Sequence, residues 1–312
     1  MARRAGGEMS RFGSGTCVAL KRALAAISLV AVTAGVATAN EPHVPYVPTA
    51  PNVVETMLSI ANVGPQDYVI DLGSGDGRIV IAAAKSHGAR GLGVELDENL
   101  VARATERAKK LGLSDRVSFH AGNLFVTDIS RATVLTLYLF PSVNLQLRPR
   151  LFSELKPGTR VVSHDFDMEL WQPDAQVTVP VPDKPYGAPE SQIYLWVIPA
   201  NAAGAWAGSI SAEGASIEFR SDLRQTFQVF SGTARVGTAA GKIRGGSLRG
   251  ASLRFMLDAE VAGRSVRYEF EGRVEGDAIS GQVRSSDGPT RDWRARRVER
   301  AAINIAPKPA DL

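Results

Sequence analysis

One cysteine, Cys17, occurs in the 312 residues. A lone cysteine closes no intrachain disulfide, and Cys17 precedes an N-terminal apolar run of targeting type. The chain beyond that run therefore has no thiol nucleophile and no cysteine metal site. Histidine is scarce as well. His43, His87, His120 and His164 show no metal-ligand spacing with the nearby acids, so no metal is expected. No Gly-x-Ser-x-Gly nucleophile motif occurs. No apolar run reaches the roughly 20 residues of a membrane-crossing helix. Proline is missing between Pro199 and Pro289.

Net charge is also missing from most of the chain. Residues 1–39 carry Arg3, Arg4, Arg11, Lys21 and Arg22 against Glu8, a net +4, which equals the formal charge of the whole sequence. The remainder is close to neutral, so bulk electrostatics gives no reason to expect a nucleic-acid partner. An uncharged run over 23–39 ends in Ala37-Thr38-Ala39, a small-x-small pattern. Residues 1–39 therefore read as a secretory signal peptide, and the protein is expected to be exported to the periplasm or cell envelope. The alternative is an uncleaved anchor with the rest of the chain facing the cytosol. In either case membrane contact is confined to 1–39.

What the sequence does have is concentrated in residues 69–78, Val-Ile-Asp-Leu-Gly-Ser-Gly-Asp-Gly-Arg. A buried strand ends in an acid, a glycine turn follows, and a helix begins. A second acid, Glu95, ends the run 91–95. Glycines let the backbone turn tightly and approach a ligand, and the second acid can accept from both ribose hydroxyls. Asp71 and Asp76 flank the turn. They repel a pyrophosphate and suit a cationic ligand, such as the sulfonium and ammonium of S-adenosylmethionine. The Gly-x-Gly-x-Gly spacing likewise departs from the Gly-x-Gly-x-x-Gly of dinucleotide sites.

Strands and helices alternate through strand five. Strands are expected at 67–71, 91–95, 117–120, 133–140 and 160–163, with two more at 177–179 and 193–198. Helices are expected from Asn52 to Gly64, over 79–88 and over 99–111. A helical stretch over 145–155 is expected to be interrupted by Pro149. This pattern gives an open, mostly parallel sheet whose ligand crevice lies at the carboxyl ends of its strands. Asp71, Glu95, Asn123, Tyr138 and His164 all fall at or just past such ends.

After Pro199 the texture changes. Residues 201–300 hold 14 of the 30 glycines, and segments such as 217–220, 253–257 and 266–271 alternate apolar and polar residues. Period-two alternation with glycine turns predicts an antiparallel barrel or sandwich. The expected organisation is a signal peptide at 1–39, a proline-rich lead-in at 40–51, a Rossmann-like α/β domain at 52–199, an all-β domain at 200–300 and a flexible tail at 301–312.

Asp71, Gly73, Gly75 and Gly77 match every fixed position of motif I, D/E-x-G-x-G-x-G. At this point the sequence resembles class I S-adenosylmethionine-dependent methyltransferases, which implies a seven-stranded Rossmann-like fold and that cofactor. The resemblance implies cofactor-binding roles for Tyr46 and Thr49 in the lead-in, for Asp71, Gly73, Gly75, Gly77 and Glu95, and for Asn123 at the adenine, where Asp is commoner. Segments 46–49, 71–78, 137–139 and 162–166 narrow it. They are similar to a bacterial group related to the mitochondrial lysine methyltransferases of the ATP synthase c-subunit and the adenine nucleotide translocase. This likeness spans about residues 44–198 and implies N-methylation of protein lysine, with a small-molecule acceptor as the alternative. Tyr138 is then a candidate to orient the amine, His164 to accept its proton, and Asp165 or Asp167 to offset its charge. Gly204-Ala205-Trp206 and 293–296 loosely resemble small lipocalin-like barrels. S-adenosylmethionine is made in the cytosol, so export sits uneasily with turnover. The competing reading is an exported nucleoside-binding module whose β-domain carries the partner binding.

Overall fold

The computed structural model describes residues 46–307 except position 262. The expected signal peptide, the start of the proline-rich lead-in and the last five positions lie outside the described residues. The first half runs α1 (Pro51–Ile60), β1 (Tyr68–Leu72), α2 (Arg78–His87), β2 (Arg90–Glu95), α3 (Glu98–Lys110) and β3 (Val117–Ala121). It continues with β4 (Val134–Leu137), α4 (Pro141–Glu154), β5 (Arg160–His164), β6 (Ala175–Pro180) and β7 (Glu190–Val197). These seven strands form one sheet in the order β3-β2-β1-β4-β5-β7-β6. All neighbours are parallel except β7, which runs antiparallel to both β5 and β6. The strand order reverses at β1, whose neighbours are β2 and β4. That reversal opens a crevice at the carboxyl ends of the strands.

The central strands are apolar because helices cover both faces of the sheet. Every residue of β4 is buried, as is β1 beyond Tyr68. Two details differ from the expectations. Helix α3 buries Leu100, Ala104 and Ala108, but Leu111 falls past its end and is exposed. Helix α4 begins at Pro141, a position where proline's missing N–H costs nothing, and it runs through Pro149 unbroken. Val143, Leu147 and Leu151 recur at four-residue spacing and are fully buried, while Pro149 faces solvent. The apolar stripe outweighs the single hydrogen bond that Pro149 removes.

The second half is an eight-stranded closed antiparallel barrel: β8 (Gly204–Ala212), β9 (Ala215–Thr226), β10 (Val229–Val236), β11 (Ala239–Arg249), β12 (Ser252–Val261), β13 (Arg264–Glu275), β14 (Ala278–Ser285) and β15 (Thr290–Arg300). Of the two predicted alternatives, barrel and sandwich, the barrel is the one adopted. Pairing of β15 with β8 closes it. Inward residues, Trp206 among them, fill its interior, with Phe219, Phe255, Phe270 and Trp293 packed ring against ring. Arg297 lies over the Trp206 ring at 4.1 Å, and the Trp206 indole donates to the Ala202 carbonyl at 2.8 Å.

A turn of the barrel enters the sheet's core. Phe227, between β9 and β10, stacks on Trp171 with ring centroids 6.0 Å apart, and Phe152 joins them. Gln228 donates to the Gln172 carbonyl at 2.7 Å. The β11–β12 turn comes against the sheet half at Gly250. Its φ of +58° suits glycine, and a Cβ there would stand 3.1 Å from the Gly158 Cα. Part of the expected flexible tail is tied down: Phe227 donates to the Asn304 carbonyl at 3.2 Å, and Ile305 packs on the core.

Candidate active site

The glycine turn connects β1 to α2. Gly73, Gly75 and Gly77 all have positive φ, which β-carbon sterics deny to most residues. At Gly75 a second constraint applies, because a Cβ would come 2.5 Å from the Tyr46 ring. Glu95, at the end of β2, accepts from the Gly75 amide at 2.9 Å through Oε2. Its Oε1 accepts from Leu96 and Asp97 at 2.8 and 3.2 Å. A carboxylate has about four lone-pair sites. Three backbone donors leave one, on Oε2, so Glu95 would take one ribose hydroxyl rather than the expected two without rearrangement.

Asp71 lies at the end of β1 and is buried. Its Oδ1 accepts from the Thr136 hydroxyl at 2.7 Å. Burial pushes its carboxyl up to about 7, opposed by that hydrogen bond and reinforced by the charges of Glu95 and Asp76. Asp76 departs from expectation. Arg78 grips it through Nε at 2.8 Å and Nη2 at 2.9 Å, and Arg107 adds a contact at 3.1 Å. Burial alone would raise the Asp76 carboxyl, but these guanidiniums outweigh it and hold it below the ordinary range. Its charge is spent on them, so Asp71 and Glu95 are the acids left to face a cation.

Arg78 also ties the turn to the lead-in. Its Nη1 donates to the Thr49 carbonyl at 2.7 Å, and its Nη2 lies 3.4 Å from the Tyr46 hydroxyl. Thr49 in turn places its hydroxyl 3.4 Å from His164 Nδ1. On the other side of the crevice, Asn123 follows β3. Its Oδ1 accepts from the Phe125 amide at 2.7 Å, and Arg150 pins the same loop through the carbonyls of Leu124 and Thr127.

The structure brings Tyr138, His164 and Asp165 together just past β4 and β5. The Tyr138 and His164 rings stack with centroids 3.8 Å apart. Asp165 adopts φ of +63°, a left-handed conformation that aspartate tolerates better than most residues. Its Oδ1 accepts from the Gln192 amide at 3.0 Å. Its Oδ2 faces Lys184 Nζ at 2.7 Å, His164 Nε2 at 3.4 Å and the Tyr138 hydroxyl at 3.5 Å. The Tyr138 and Tyr186 hydroxyls are hydrogen-bonded to each other. His164 Nε2 pairs with Ser191 Oγ at 2.8 Å. Burial drives the His164 imidazole down to about 4, with Asp165 opposing and Lys184 assisting. Burial thus disfavours the protonated form that the expected proton-accepting role would need. A neutral ring of such low basicity, with a hydroxyl at each nitrogen, is a platform for Tyr138.

Sequence reasoning missed Lys184, Tyr186, Ser191, Thr136 and Asn144. Asn144, buried on α4, donates to Ser163 Oγ and the Phe166 carbonyl, both at 3.3 Å, and so braces the turn that carries Asp165. A lysine within the proline-punctuated connection 181–189 was the one available signal. Among the described residues, no group of three His, Cys, Asp or Glu could hold a metal ion. No described helix is long and apolar enough to cross a membrane.

The residues present fit S-adenosylmethionine. Asp71 is a buried carboxylate held close to protonation and would gain from a cation placed beside it. The turn leaves no room for side chains, and the Ser74 hydroxyl is buried without a partner.

The family described as ANTKMT methyltransferase domain matches residues 71–175. A protein-lysine N-methyltransferase of Saccharolobus islandicus is 47% identical over 158 residues, which is 50% of this chain and 95% of that protein. The adenine nucleotide translocase lysine N-methyltransferase of Mus musculus is 39% identical over 124 residues, 40% of this chain and 54% of that protein. A solved structure described as an RNA methyltransferase from Salinibacter ruber, in complex with S-adenosyl-L-homocysteine, is 53% identical. The match covers 48% of this chain and 93% of that one, with a TM-score of 0.45. The Saccharolobus islandicus relative is 47% identical and covered over 95% of its length, so the chain belongs to the ANTKMT-type methyltransferase family and is an S-adenosylmethionine-dependent methyltransferase.

Proposed function

We propose that this methyltransferase N-methylates lysine side chains of a protein substrate. One observation carries the reading. At the carboxyl ends of β4 and β5, the Lys184 ammonium pairs with Asp165 at 2.7 Å and lies 5.9 Å from the Tyr186 ring, while the Tyr138 hydroxyl faces the same carboxylate. A carboxylate flanked by aromatic rings suits an ammonium on a flexible stem. The curated relatives described above are named as lysine N-methyltransferases, which supports the same acceptor.

S-adenosylmethionine supplies an electrophilic methyl on a sulfonium. The chain's own part is to align an acceptor and remove water from around it. Glu95, Asp71 and the glycine turn would hold the cofactor, with Tyr46 closing over Gly75 and Asn123 near the adenine. Asp165 Oδ2 would receive the acceptor ammonium and hold its proton as the nitrogen gives it up. Tyr138, fixed by stacking on His164, would set the acceptor's direction.

The test is transfer of labelled methyl groups from S-adenosylmethionine to envelope and cytosolic extracts, with mass spectrometry locating the modified residue. Mono-, di- or trimethyl-lysine is expected, lost in Asp165→Ala. Label appearing only on RNA or on small molecules would overturn the reading.

Export is part of the proposal. Five basic residues, an uncharged run and Ala37-Thr38-Ala39 support secretion of the chain after position 39. Fractionation with N-terminal sequencing checks this, and an intact Met1 on a cytosolic protein would exclude it.

A further inference from the structure

The connection between β6 and β7, residues 181–189, is solvated over most of its length. Every residue from 182 to 190 is exposed apart from Lys184. The Lys184 side chain retains only 10% exposure. It reaches Asp165 Oδ2 at 2.7 Å and the Glu190 carbonyl at 2.7 Å, and lies 5.9 Å from the Tyr186 ring centroid. Burying an ion pair brings little net stability, because desolvating both charges consumes most of the attraction. An apolar anchor would hold the loop as well. The lysine is therefore chosen for its chemistry, and that chemistry is the acceptor's.

We infer that Lys184 occupies the acceptor-ammonium site, so that the 181–189 strap is an internal competitor that must lift before a substrate lysine can enter. The inference rests on the proposed lysine acceptor. Three features make the strap fit for this. Pro182, Pro185 and Pro189 stiffen it and lower the entropy lost when it closes. Its backbone attachments are few: Val181 donates to the Pro189 carbonyl at 2.8 Å, and Lys184 to the Val181 carbonyl at 3.1 Å, both within the strap. Tyr186 travels with Lys184 and bonds Tyr138, so opening would uncover the acceptor pocket and free the Tyr138 hydroxyl together. A site open for a fraction of the time binds its ligand weaker by that fraction.

The test uses the full chain without cofactor and butylammonium as a probe of the lysine head and stem. Calorimetry should show binding to Lys184→Met at least tenfold tighter than to wild type. In the double variant with Asp165→Asn that binding should disappear. Equal affinity in wild type and Lys184→Met, or binding that survives loss of Asp165, would overturn the inference. A measurement on the unmutated protein guards against a misfolded variant. Acetic anhydride should label exposed Lys110 while sparing Lys184, and millimolar butyltrimethylammonium, which the reagent cannot acylate, should expose Lys184 to it. Labelling of Lys184 at the rate of Lys110 without the probe would equally overturn it. Neither measurement involves methyl transfer, so the two failures are distinguishable: methyl-lysine formed by a protein whose butylammonium affinity Lys184→Met leaves unchanged overturns the strap alone, whereas label found only on RNA or small molecules overturns the proposed function and the acceptor role of this site with it.

Discussion

Thr136 donates its hydroxyl to Asp71 at 2.7 Å, yet the Asp71 carboxyl still titrates near 7. Burial outweighs that bond, and Glu95 and Asp76 add repulsion. The folded value lies above the ordinary 3.8, so the stability linked to this group is fully present below about 3.8 and is lost as pH rises through about 7. The span corresponds to roughly 4 kcal/mol at most. Asp71→Asn should therefore stabilise the cofactor-free protein at pH 8 more than at pH 4, measured by urea unfolding. It should also lose S-adenosylmethionine binding. A pH-independent difference between variant and wild type would count against a strained carboxylate.

His164 tilts the same pH window the other way. Its folded value is pushed below 6.5 to about 4, so its contribution is present above 6.5 and is lost as pH falls through about 4. The loss amounts to roughly 3 kcal/mol at most. His164→Gln should remove this acid-side loss, leaving between pH 4 and 6.5 a stability that falls as pH rises, as Asp71 alone dictates. Because Asp71 and His164 oppose each other there, the wild-type profile should be flatter than that of either single variant. Unfolding midpoints taken at half-unit steps of pH provide the comparison.

Gly75→Ala meets two obstacles, a φ of +53° and the Tyr46 ring 2.5 Å from the new methyl. A left-handed non-glycine residue costs about 1–2 kcal/mol. Displacement of Tyr46 would uncover the turn. Affinity for S-adenosylmethionine should fall tenfold or more by calorimetric titration, with a modest drop in melting temperature. Unchanged affinity would mean that Tyr46 has no part in holding the cofactor.

The glycine turn and its two acids were legible because they are local. Asp71, the three glycines and Glu95 lie within 25 residues, and strand-turn-helix chemistry fixes their spacing. What could not be read depends on long-range register. Thr49 meets His164 across 115 positions, and Lys184 reaches Asp165 only because β7 returns antiparallel beside β5. Alternation announced strands in the second half, but closure depends on β15 meeting β8, where Arg297 pairs with Trp206. Asp76 misled for another reason: Arg78, two positions on, turns back to pair with it, and Arg107, 31 positions away on α3, adds a second contact.

Phe227 offers a test of whether the two halves form one cooperative unit. It extends from the barrel into the sheet's core against Trp171 and Phe152, and Arg148 lies 5.4 Å above its ring. Removing a buried phenylalanine typically costs about 3–5 kcal/mol. Here the loss falls on the junction rather than on either half's own core. The sheet's Trp171 and Trp196 are in contact with that junction, whereas the barrel's Trp206 and Trp293 belong to a separate aromatic core. In Phe227→Ala, amide hydrogen exchange should quicken in β5 and β7 while barrel protection is retained, because closure leaves the barrel no unpaired edge. An equal loss of protection in both halves would show that the barrel depends on the sheet for its fold. The β-domain could then not act as the free-standing binding module of the competing reading.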